Sequence, residues 1–410
     1  MYARESALTT TAEIREAVLR LGGGALTEQA LDSSIRPLFS RVLAGEAGVI
    51  YLANHSMGRP LDRTALDLQA AIDAWYAGPD EAWERWLQQM GYFRQQIAEL
   101  IHAPEADCVV PRASAGQGLR AVLNGFDDRI DVLTSAGEFS SIDLVLKIYA
   151  QRGRINLTRV GADAEGHYSM ESLVAAISAK TDLLVISLVM FVTGQWLSDL
   201  PQLIEIAHKQ GAQVVVDLYH AVGALPVDVQ ALGADFAVGG CYKYLRGGPG
   251  AAWLYIDPRH LDGHFHSLDC GWFAQTDPFA FERPVVPDIA PGGNALLEST
   301  PAVLPWYQAR AGLELTRAIG VERLRDYSLM QQGLLGRLLA EKGIPVFGRP
   351  DASGAFVAIA DADAAHHARQ LLQAGVRADA REGFLRLCPD ILNRRAELET
   401  AVERLIDIWP

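Results

Sequence analysis

The chain has 410 residues, of which 50% are hydrophobic and 21% are charged, and its formal net charge is -14. This length and balance predict a chain that buries a large core and folds as two packed domains. The excess of acidic residues argues against a nucleic-acid partner, because affinity for phosphate backbones depends on Lys and Arg.

The N-terminal segment, residues 1–48, favours helices that pack on the C-terminal part of the chain. Residues 1–20 mix Arg and Glu with apolar residues and have no continuous apolar stretch, so they do not resemble a signal peptide. The longest apolar runs, such as residues 183–192, are far too short to span a bilayer. We therefore expect a cytoplasmic protein without membrane contact.

The middle of the chain, residues 49–300, alternates short β-branched apolar runs with helical patterns. Strands without polar alternation, each followed by a helix, indicate a mostly parallel central sheet with helices on both faces. The expected fold class is therefore α/β, with this region as the large domain. The predicted strands are residues 108–110, 130–133, 155–160, 183–187 and 214–217, and the predicted helices are 116–123, 142–151, 170–179 and 200–210.

The pattern changes after residue 300, where a smaller α+β domain, residues 301–410, is predicted. The span that joins the two domains, residues 260–301, is dense in Gly, Pro and aromatic residues and is too long for a simple linker, so we expect it to be functional. The predicted helices of the small domain are 306–324, 329–341, 364–374 and 394–408, and its predicted strands are 356–360 and 384–387.

Two residues of the large domain carry the strongest chemical signal. Asp217 ends an apolar strand, and Lys243 follows 26 residues later between Tyr242 and Tyr244, before a Gly-rich turn. A carboxylate at the C-terminal end of a parallel strand points into the crevice where open α/β sheets bind ligands. A lysine among aromatic side chains loses hydration, which lowers its pKa and makes it a usable nucleophile.

This ordered pair suits pyridoxal 5'-phosphate (PLP). The cofactor needs a lysine amine for its aldehyde and an acid beside its pyridine nitrogen, so that the ring stays protonated and acts as an electron sink. Alone, Asp217 could cap a turn and Lys243 could be a solvated surface residue. Together with their flanks they predict a PLP enzyme in which Lys243 and Asp217 are catalytic.

The motifs around this pair resemble those of fold-type-I PLP enzymes of the class V aminotransferase superfamily, and within it those of the kynureninase family. The resemblance runs from about residue 50 to about residue 390. It rests on Ser56-Met57-Gly58, Ser187 with Thr193-Gly194-Gln195, Asp217-Leu218-Tyr219-His220, Tyr242-Lys243-Tyr244-Leu245, Gly271-Trp272-Phe273 and Thr300-Pro301.

This resemblance implies a complete cofactor site. Ala113 and Ser114 would hold the phosphate at a helix start, where backbone N–H groups favour a dianion; Ser114 also suits a plain N-cap. Tyr242 would reach the phosphate and donate a proton during turnover. The other implied positions are Phe139 over the ring, Ser141 beside it, Ser187 and His220 flanking Asp217, and Trp272 and Thr300 closing the site.

Two departures from the family pattern bear on the substrate more than on the cofactor. Phe139-Ser140-Ser141-Ile142 stands where the family has Phe-Pro-Thr-Asp or Phe-Pro-Ser-Asp, so the acid is either lost or displaced to Asp143. Arg246 replaces an Asn that usually follows the lysine motif, which adds a charge to the turn.

Substrate contacts are also implied by the resemblance. Arg386 matches the family's carboxylate-binding arginine, and a guanidinium grips a carboxylate bidentately. Arg381 is the next candidate if Arg386 is structural. Ser56 and Trp83 are the other implied substrate residues, although Trp83 and Trp86 together also fit a core stripe.

The family resemblance implies hydrolysis of the Cβ–Cγ bond of L-kynurenine or a related β-acyl-alanine to an aryl acid and L-alanine. The alternatives are another class V reaction (cysteine desulfuration, C–S lysis or transamination) and a non-catalytic PLP-fold binding protein. A desulfurase needs a mobile nucleophilic cysteine, whereas Cys388, the only late cysteine, stands beside Pro389 and favours an inert core thiol.

Two further expectations concern thiols and assembly. The four cysteines (Cys108, Cys241, Cys270 and Cys388) have no metal-ligand spacing, so reduced thiols and no metal are expected. The aromatic and Pro-rich span 272–300 has too many apolar groups for a free loop, which predicts a homodimer with its site at the subunit boundary.

Overall fold

The computed structural model of the chain describes residues 11–261 and 265–409. Twelve strands form within these residues. In chain order they are β1 (Ile50–Tyr51), β2 (Val109–Arg112), β3 (Ile130–Ser135), β4 (Ile155–Val160), β5 (Leu183–Ser187), β6 (Gln213–Asp217), β7 (Phe236–Gly240), β8 (Ala252–Ile256), β9 (Val357–Ala360), β10 (Val376–Arg377), β11 (Asp379–Arg381) and β12 (Phe384–Leu387).

Fourteen α-helices form within the same residues. They are α1 (Ala12–Leu21), α2 (Glu28–Ser34), α3 (Ser40–Gly45), α4 (Arg63–Ala77), α5 (Pro79–Leu100), α6 (Ala115–Leu123), α7 (Ser140–Gln151), α8 (Met170–Ala176), α9 (Leu200–Lys209), α10 (Val229–Leu232), α11 (Leu304–Ile319), α12 (Val321–Glu341), α13 (Ala364–Gln373) and α14 (Arg395–Ile406). None of these helices is long and apolar enough to cross a bilayer.

Seven strands form the central sheet, in the order β2-β8-β7-β6-β5-β3-β4. The strands from β3 to β7 pair in parallel, and β8 runs antiparallel to both β7 and β2. Every residue of β5, β7 and β8 is buried, which is what a sheet covered on both faces requires. The predicted α/β fold with a mostly parallel sheet is therefore confirmed.

A smaller sheet and two further cores complete the chain. The strands β11, β12 and β9 form an antiparallel sheet, and β1 pairs in parallel with β10. Ile14, Ile35 and Phe39 of the N-terminal helices pack with Leu315 and Ile319 of α11. We keep the domain borders after residues 48 and 300 as predictions.

The larger differences between the secondary structure and the sequence prediction concern one helix break, two helices and two strands. The helix predicted over 306–324 and the break before 329 are wrong, because α11 ends at Ile319, the next residue Gly320 has a φ of 93° that favours glycine, and α12 begins at Val321. The helices α4 and α5 were not predicted, nor were β7 and β8. In β7, a Cβ on Gly239 would lie 2.2 Å from the Trp253 ring, so close packing puts glycines into a strand and hides its pattern.

Candidate active site

The carboxyl end of β6 places Asp217 in the interior of the large domain. Asp217 is 4% exposed, and its Oδ1 accepts the N–H of Tyr219 at 2.8 Å. Ser187, at the end of β5, is its register partner on the neighbouring parallel strand. Burial raises the pKa of Asp217, whereas the Tyr219 N–H and the charge of Lys243 act in the opposite direction. The end of β6 thus holds a desolvated acid whose nearest counter-charge is a lysine.

Lys243 lies in the turn that joins β7 to β8 and is 3% exposed. Its Nζ lies 2.6 Å from His220 Nε2 and between 5.2 and 5.6 Å from the ring centres of Phe139, Tyr219 and Tyr242. Burial lowers the pKa of Lys243 to about 7, and the charge of Asp217 opposes the shift. A large fraction of the amine is therefore neutral near pH 7 and can act as a nucleophile.

His220 is arranged to accept a hydrogen bond from this amine. Burial, followed by the charge of Lys243, lowers the pKa of His220 well below its usual value, so the imidazole is neutral. Its Nδ1 lies 3.4 Å from Tyr244 Oη, and its ring packs near Phe191 and Phe356. His220 therefore positions the lysine amine without adding a positive charge.

A close backbone approach fixes the lysine turn. The N–H of Gly58 donates to Tyr242 O at 2.8 Å, and a Cβ on Gly58 would lie 1.9 Å from Lys243 O, so only glycine fits. Arg246 has a φ of 55°, a conformation that Asn tolerates better than most residues. Its Nη2 pairs with Asp390 at 3.0 Å, so the extra charge expected in this turn is neutralised by a buried acid.

The helix starts of α6 and α7 lie side by side. Ser114 caps α6, where its Oγ accepts the N–H of Gln117 at 3.2 Å, and Ala113 N–H donates to Gln117 Oε1 at 2.7 Å. Ser141 lies in the first turn of α7, and its Cβ is 3.9 Å from the position of a Cβ built on Gly116. Two helix N-termini with exposed serines are thus available to an anion. The sequence analysis missed Gln117.

The carboxylate expected after Phe139 is not supplied by Asp143. The Asp143 oxygens pair with Lys147 Nζ at 2.6 Å and Arg159 Nη2 at 3.0 Å on the outer side of α7. A different acid, Glu138, is buried directly before Phe139, and it accepts from Ser135 and Ser187. The sequence analysis missed Glu138, because a lone Glu in a loop pattern gives no sign of burial.

Arg386 is 1% exposed and belongs to β12 of the small sheet. Its Nε and Nη2 donate to the two carboxylate oxygens of Asp379, each at 2.8 Å, and its Nη1 donates to Phe191 O at 2.6 Å. The guanidinium also lies over the rings of Phe191 and Phe356. Charges from both Arg386 and Asp379 act on the pKa of Lys243, so the two sheets meet at one site.

Asp379 gathers the polar side chains of this side of the site. It accepts hydrogen bonds from Ser56 Oγ and, at 2.7 Å, from His55 Nε2. Burial acts to raise the pKa of Asp379, but His55 and Arg386 hold it well below its usual range. Arg381 is half exposed, with its Nη2 3.6 Å from Asp379. Asp379 was not predicted as a site residue, because Arg386 was expected to bind a substrate carboxylate and not a carboxylate of the protein.

Trp83, Trp272 and Thr300 lie in a separate group that we call the tryptophan cluster. Trp83 packs edge-on to Trp272 at 6.4 Å, and Trp272 Nε1 donates to Thr300 Oγ1 at 3.3 Å. The side chains that contact Lys243 come from other segments of the chain. The other members of the tryptophan cluster are Trp75, Trp86, Phe273, Phe279 and Phe281.

The chemistry of these groups fits the PLP expected from the sequence. The site offers a lysine amine of lowered pKa, a buried acid at a strand end, an aromatic ring at Phe139 and two helix N-termini for a phosphate. Within residues 11–261 and 265–409, no cluster of His, Cys, Asp and Glu could hold a metal ion.

Comparison with known proteins finds a matching family model and similar kynureninases. Residues 77–398 match the family model described as Aminotransferase class-V. The chain is 28% identical to the kynureninase of Pseudomonas fluorescens over 326 residues, 76% of each chain. It is also 28% identical to the kynureninase of Xanthomonas campestris pv. campestris (strain B100) over 393 residues, 88% of this chain and 90% of the relative.

Solved structures show the same fold at lower sequence identity. A mutant of C-DES with glycine covalently linked to the PLP cofactor superimposes with a TM-score of 0.82 at 20% identity, over 91% of this chain and 99% of that one. The apo cysteine desulfurase of Thermococcus onnurineus NA1 gives a TM-score of 0.80 at 18% identity, over 92% of this chain and 97% of that one.

Proposed function

The chain belongs to the class-V aminotransferase family, and on that premise we propose that it hydrolyses the Cβ–Cγ bond of L-kynurenine or a related β-acyl-alanine. Family membership confirms the superfamily expected from the sequence motifs and makes PLP the cofactor of the chain. The products of the proposed reaction are an aryl acid and L-alanine. The observation that carries the proposal is the similarity to kynureninases along most of the chain.

Lys243 and Asp217 have the central roles in this proposal. Bound PLP supplies an electron sink for the bonds at the substrate Cα. Lys243, whose pKa is lowered to about 7, would hold the cofactor through its aldehyde and would accept the proton taken from Cα. Asp217 would keep the ring nitrogen protonated, and His220 orients the lysine amine from 2.6 Å away.

Tyr242 is proposed to deliver a proton near the reacting bond. Its ring centre lies 5.6 Å from Lys243 Nζ, and its side chain is partly exposed. Burial and the charge of Asp217 raise the pKa of Tyr242, so its hydroxyl keeps its proton at neutral pH. A phenol that stays protonated beside the amine can act as a general acid for the leaving carbon.

Arg386 is proposed to bind the substrate carboxylate while Asp379 holds the guanidinium in place. A guanidinium has five N–H donors. Asp379 takes two of them and Phe191 O takes a third, so two stay available to a substrate within the described part of the chain. Ser56, whose Oγ donates to the same Asp379, is proposed to contact the substrate as well. Arg381 remains the alternative carboxylate ligand.

The remaining residues predicted from the sequence are proposed to surround the cofactor. Phe139 would cover the ring, whereas Ala113, Ser114 and Ser141 would bind the phosphate at the starts of α6 and α7. Ser187 and His220 flank Asp217. These assignments are supported by the closeness of Phe139 and His220 to Lys243, by the register pairing of Ser187 with Asp217 and by the helix N-termini of α6 and α7.

We further propose a cytoplasmic homodimer. Trp272 and Thr300 close the site of the neighbouring subunit, and Trp83 borders the aryl end of the substrate. The support is the tryptophan cluster, which includes none of the three rings around Lys243 Nζ, and the exposure of Phe281 and Val286, which are 71% and 78% accessible. The four cysteines are free thiols, in keeping with a reducing compartment.

A panel of substrates tests the proposed reaction. Purified protein with PLP is incubated with several β-acyl-alanines, with cysteine and with common amino acids, beside a Lys243→Ala control. We expect L-alanine and an aryl acid from L-kynurenine or a relative. Sulfide or sulfane sulfur from cysteine, without cleavage of any β-acyl-alanine, would replace the proposal with C–S chemistry. Cys388 argues against a desulfurase, because it is buried and burial raises the pKa of its thiol.

A further inference from the structure

Glu138 is a buried acid that none of the roles above uses. It lies directly before Phe139 and is 5% exposed. Ser135 Oγ donates to its Oε1 at 2.6 Å, and Ser187 donates through Oγ to its Oε2 at 2.5 Å and through N–H to its Oε1 at 3.3 Å. Both carboxylate oxygens therefore have donors, which is how a protein keeps a buried acid in one place.

The charge of Glu138 has no counter-charge beside it. In residues 11–261 and 265–409, its hydrogen-bond donors are two serines, and no basic side chain pairs with it. Burial raises the pKa of Glu138 to about 7, the serine hydrogen bonds lower it, and the like charge of Asp217 raises it. The like charges of the two buried acids therefore repel each other.

Ser187 connects Glu138 to the cofactor side of the sheet. Ser187 and Asp217 are register partners at the ends of β5 and β6, and Leu188 N–H donates to Asp217 O at 3.0 Å. Register partners on neighbouring strands project from the same face of a sheet. The cation that acts on Asp217 is Lys243.

We propose that Glu138 is a second carboxylate of the cofactor-ring site, which holds Ser187 against Asp217 and whose charge favours a protonated ring nitrogen. The inference rests on the proposed role of Asp217 and extends it. Two neighbouring buried acids favour a positive partner, which a pyridinium would supply and a neutral pyridine would not. Glu138 acts through Ser187 and Asp217, so it is a positioning residue.

Two substitutions separate the charge of Glu138 from its hydrogen bonds. Glu138→Gln keeps the size and one carbonyl acceptor but removes the charge. Glu138→Asp keeps the charge but is one methylene shorter, so it cannot span Ser135 and Ser187 equally well. Asp143→Asn removes a nearby acid that pairs with Lys147 on the outer side of α7, and it is the matched control.

Two readouts that need no substrate are measured on each variant. They are the PLP dissociation constant of the apo-protein, from tryptophan fluorescence, and the ¹⁵N chemical shift of bound ring-labelled PLP, which reports protonation. We expect Glu138→Gln to bind PLP about 10-fold more weakly, the equivalent of one pKa unit, with its shift moved toward the unprotonated value. Glu138→Asp should keep the protonated shift, and Asp143→Asn should match the wild type in both readouts.

The outcomes distinguish this inference from the proposed function. A Glu138→Gln protein with wild-type affinity and shift would overturn it. It would also be overturned if both Glu138 variants lost PLP affinity equally, with a wild-type shift and a lower Tm, because Glu138 would then be structural only. If Asp217→Asn changed neither readout, the ring site would be misassigned as well. Failure to cleave L-kynurenine affects none of these results, since no substrate is present.

Discussion

The site around Lys243 and the tryptophan cluster around Trp83 are built in different ways. Asp217 and Ser187 occupy neighbouring strand ends, and Lys243 sits in the turn after β7, so the parallel sheet alone brings them together. The tryptophan cluster joins α5 to the span before α11, where the described residues form only short 3₁₀ turns. The first site is buried and internally paired, whereas the second leaves large apolar side chains exposed.

This difference teaches which part of an active site one chain can complete. A buried amine and acid gain their perturbed pKa values from the fold of a single subunit. An aromatic surface that stays exposed is completed only by another surface. Substitutions at the Lys243 site should therefore lower activity more than substitutions in the tryptophan cluster.

The largest effect is expected from Lys243→Ala. Lys243 is proposed to hold PLP covalently and to accept the Cα proton, so activity should fall by at least roughly 1000-fold when the amine is lost. The visible absorbance of bound cofactor should disappear while the thermal melt stays cooperative. Lys209→Ala, which removes an exposed lysine paired with Glu205, should behave as the wild type. Borohydride fixation of PLP to any lysine other than Lys243 would disprove the assignment.

Arg386→Lys should have the next largest effect on activity, because the Arg386 side chain joins the two sheets at the site. Lysine keeps the charge but offers a point contact in place of a planar fork. Losing a charge-assisted bidentate contact should lower kcat/KM roughly 30- to 1000-fold, equivalent to about 2–4 kcal/mol. PLP binding should not change. The measurement is kcat/KM beside the visible spectrum and a thermal melt.

Arg381→Lys is the matched control, since Arg381 is half exposed and its nearest Nη2 lies 3.6 Å from Asp379. If Arg386→Lys fails by unfolding, the buried pair with Asp379 is structural, and the carboxylate grip passes to Arg381. Normal kinetics in Arg386→Lys would lead to the same conclusion.

The sequence predicted the strand-end site far better than the contacts between distant segments. Asp217, Ser187 and Lys243 could be placed because apolar runs mark the strands and short motifs follow them directly. The bonds of Asp379 to His55 and Ser56 could not be placed, because they join segments more than 300 residues apart in the chain. Glu138 was missed for a related reason, since its burial depends on serines from two strands.

The pH dependence of cofactor loading should show how the fold tunes Lys243. Burial lowers the pKa of Lys243 to about 7, and only the neutral amine attacks an aldehyde. Below pH 7 the neutral fraction should therefore fall about 10-fold per pH unit, and above it the rate should level off. Stopped-flow mixing of apo-protein with PLP from pH 5.5 to 9 measures this, with a small amine as a control for PLP ionisation. A rate that still rises tenfold per unit above pH 8 would show an ordinary lysine.

The smallest effect on activity is expected from Phe281→Ala, which tests the other half of the comparison. Phe281 is 71% exposed and stacks on Trp272 with ring centres 5.9 Å apart, so its removal should change the stability of a single subunit very little. If a second copy covers this surface, losing the buried ring should weaken the dimer roughly 10-fold, which corresponds to about 1.4 kcal/mol. Activity at high protein concentration should then change less than about threefold. On dilution, the activity of the variant should fall at a higher protein concentration than the activity of the wild type.

Leu19→Ala is the matched control, because Leu19 is 72% exposed on α1, at the opposite end of the chain. Sedimentation and dilution assays on the three proteins decide the matter. A wild-type monomer with full activity at micromolar concentration would show that each chain completes its own site, and the tryptophan cluster would then need another explanation.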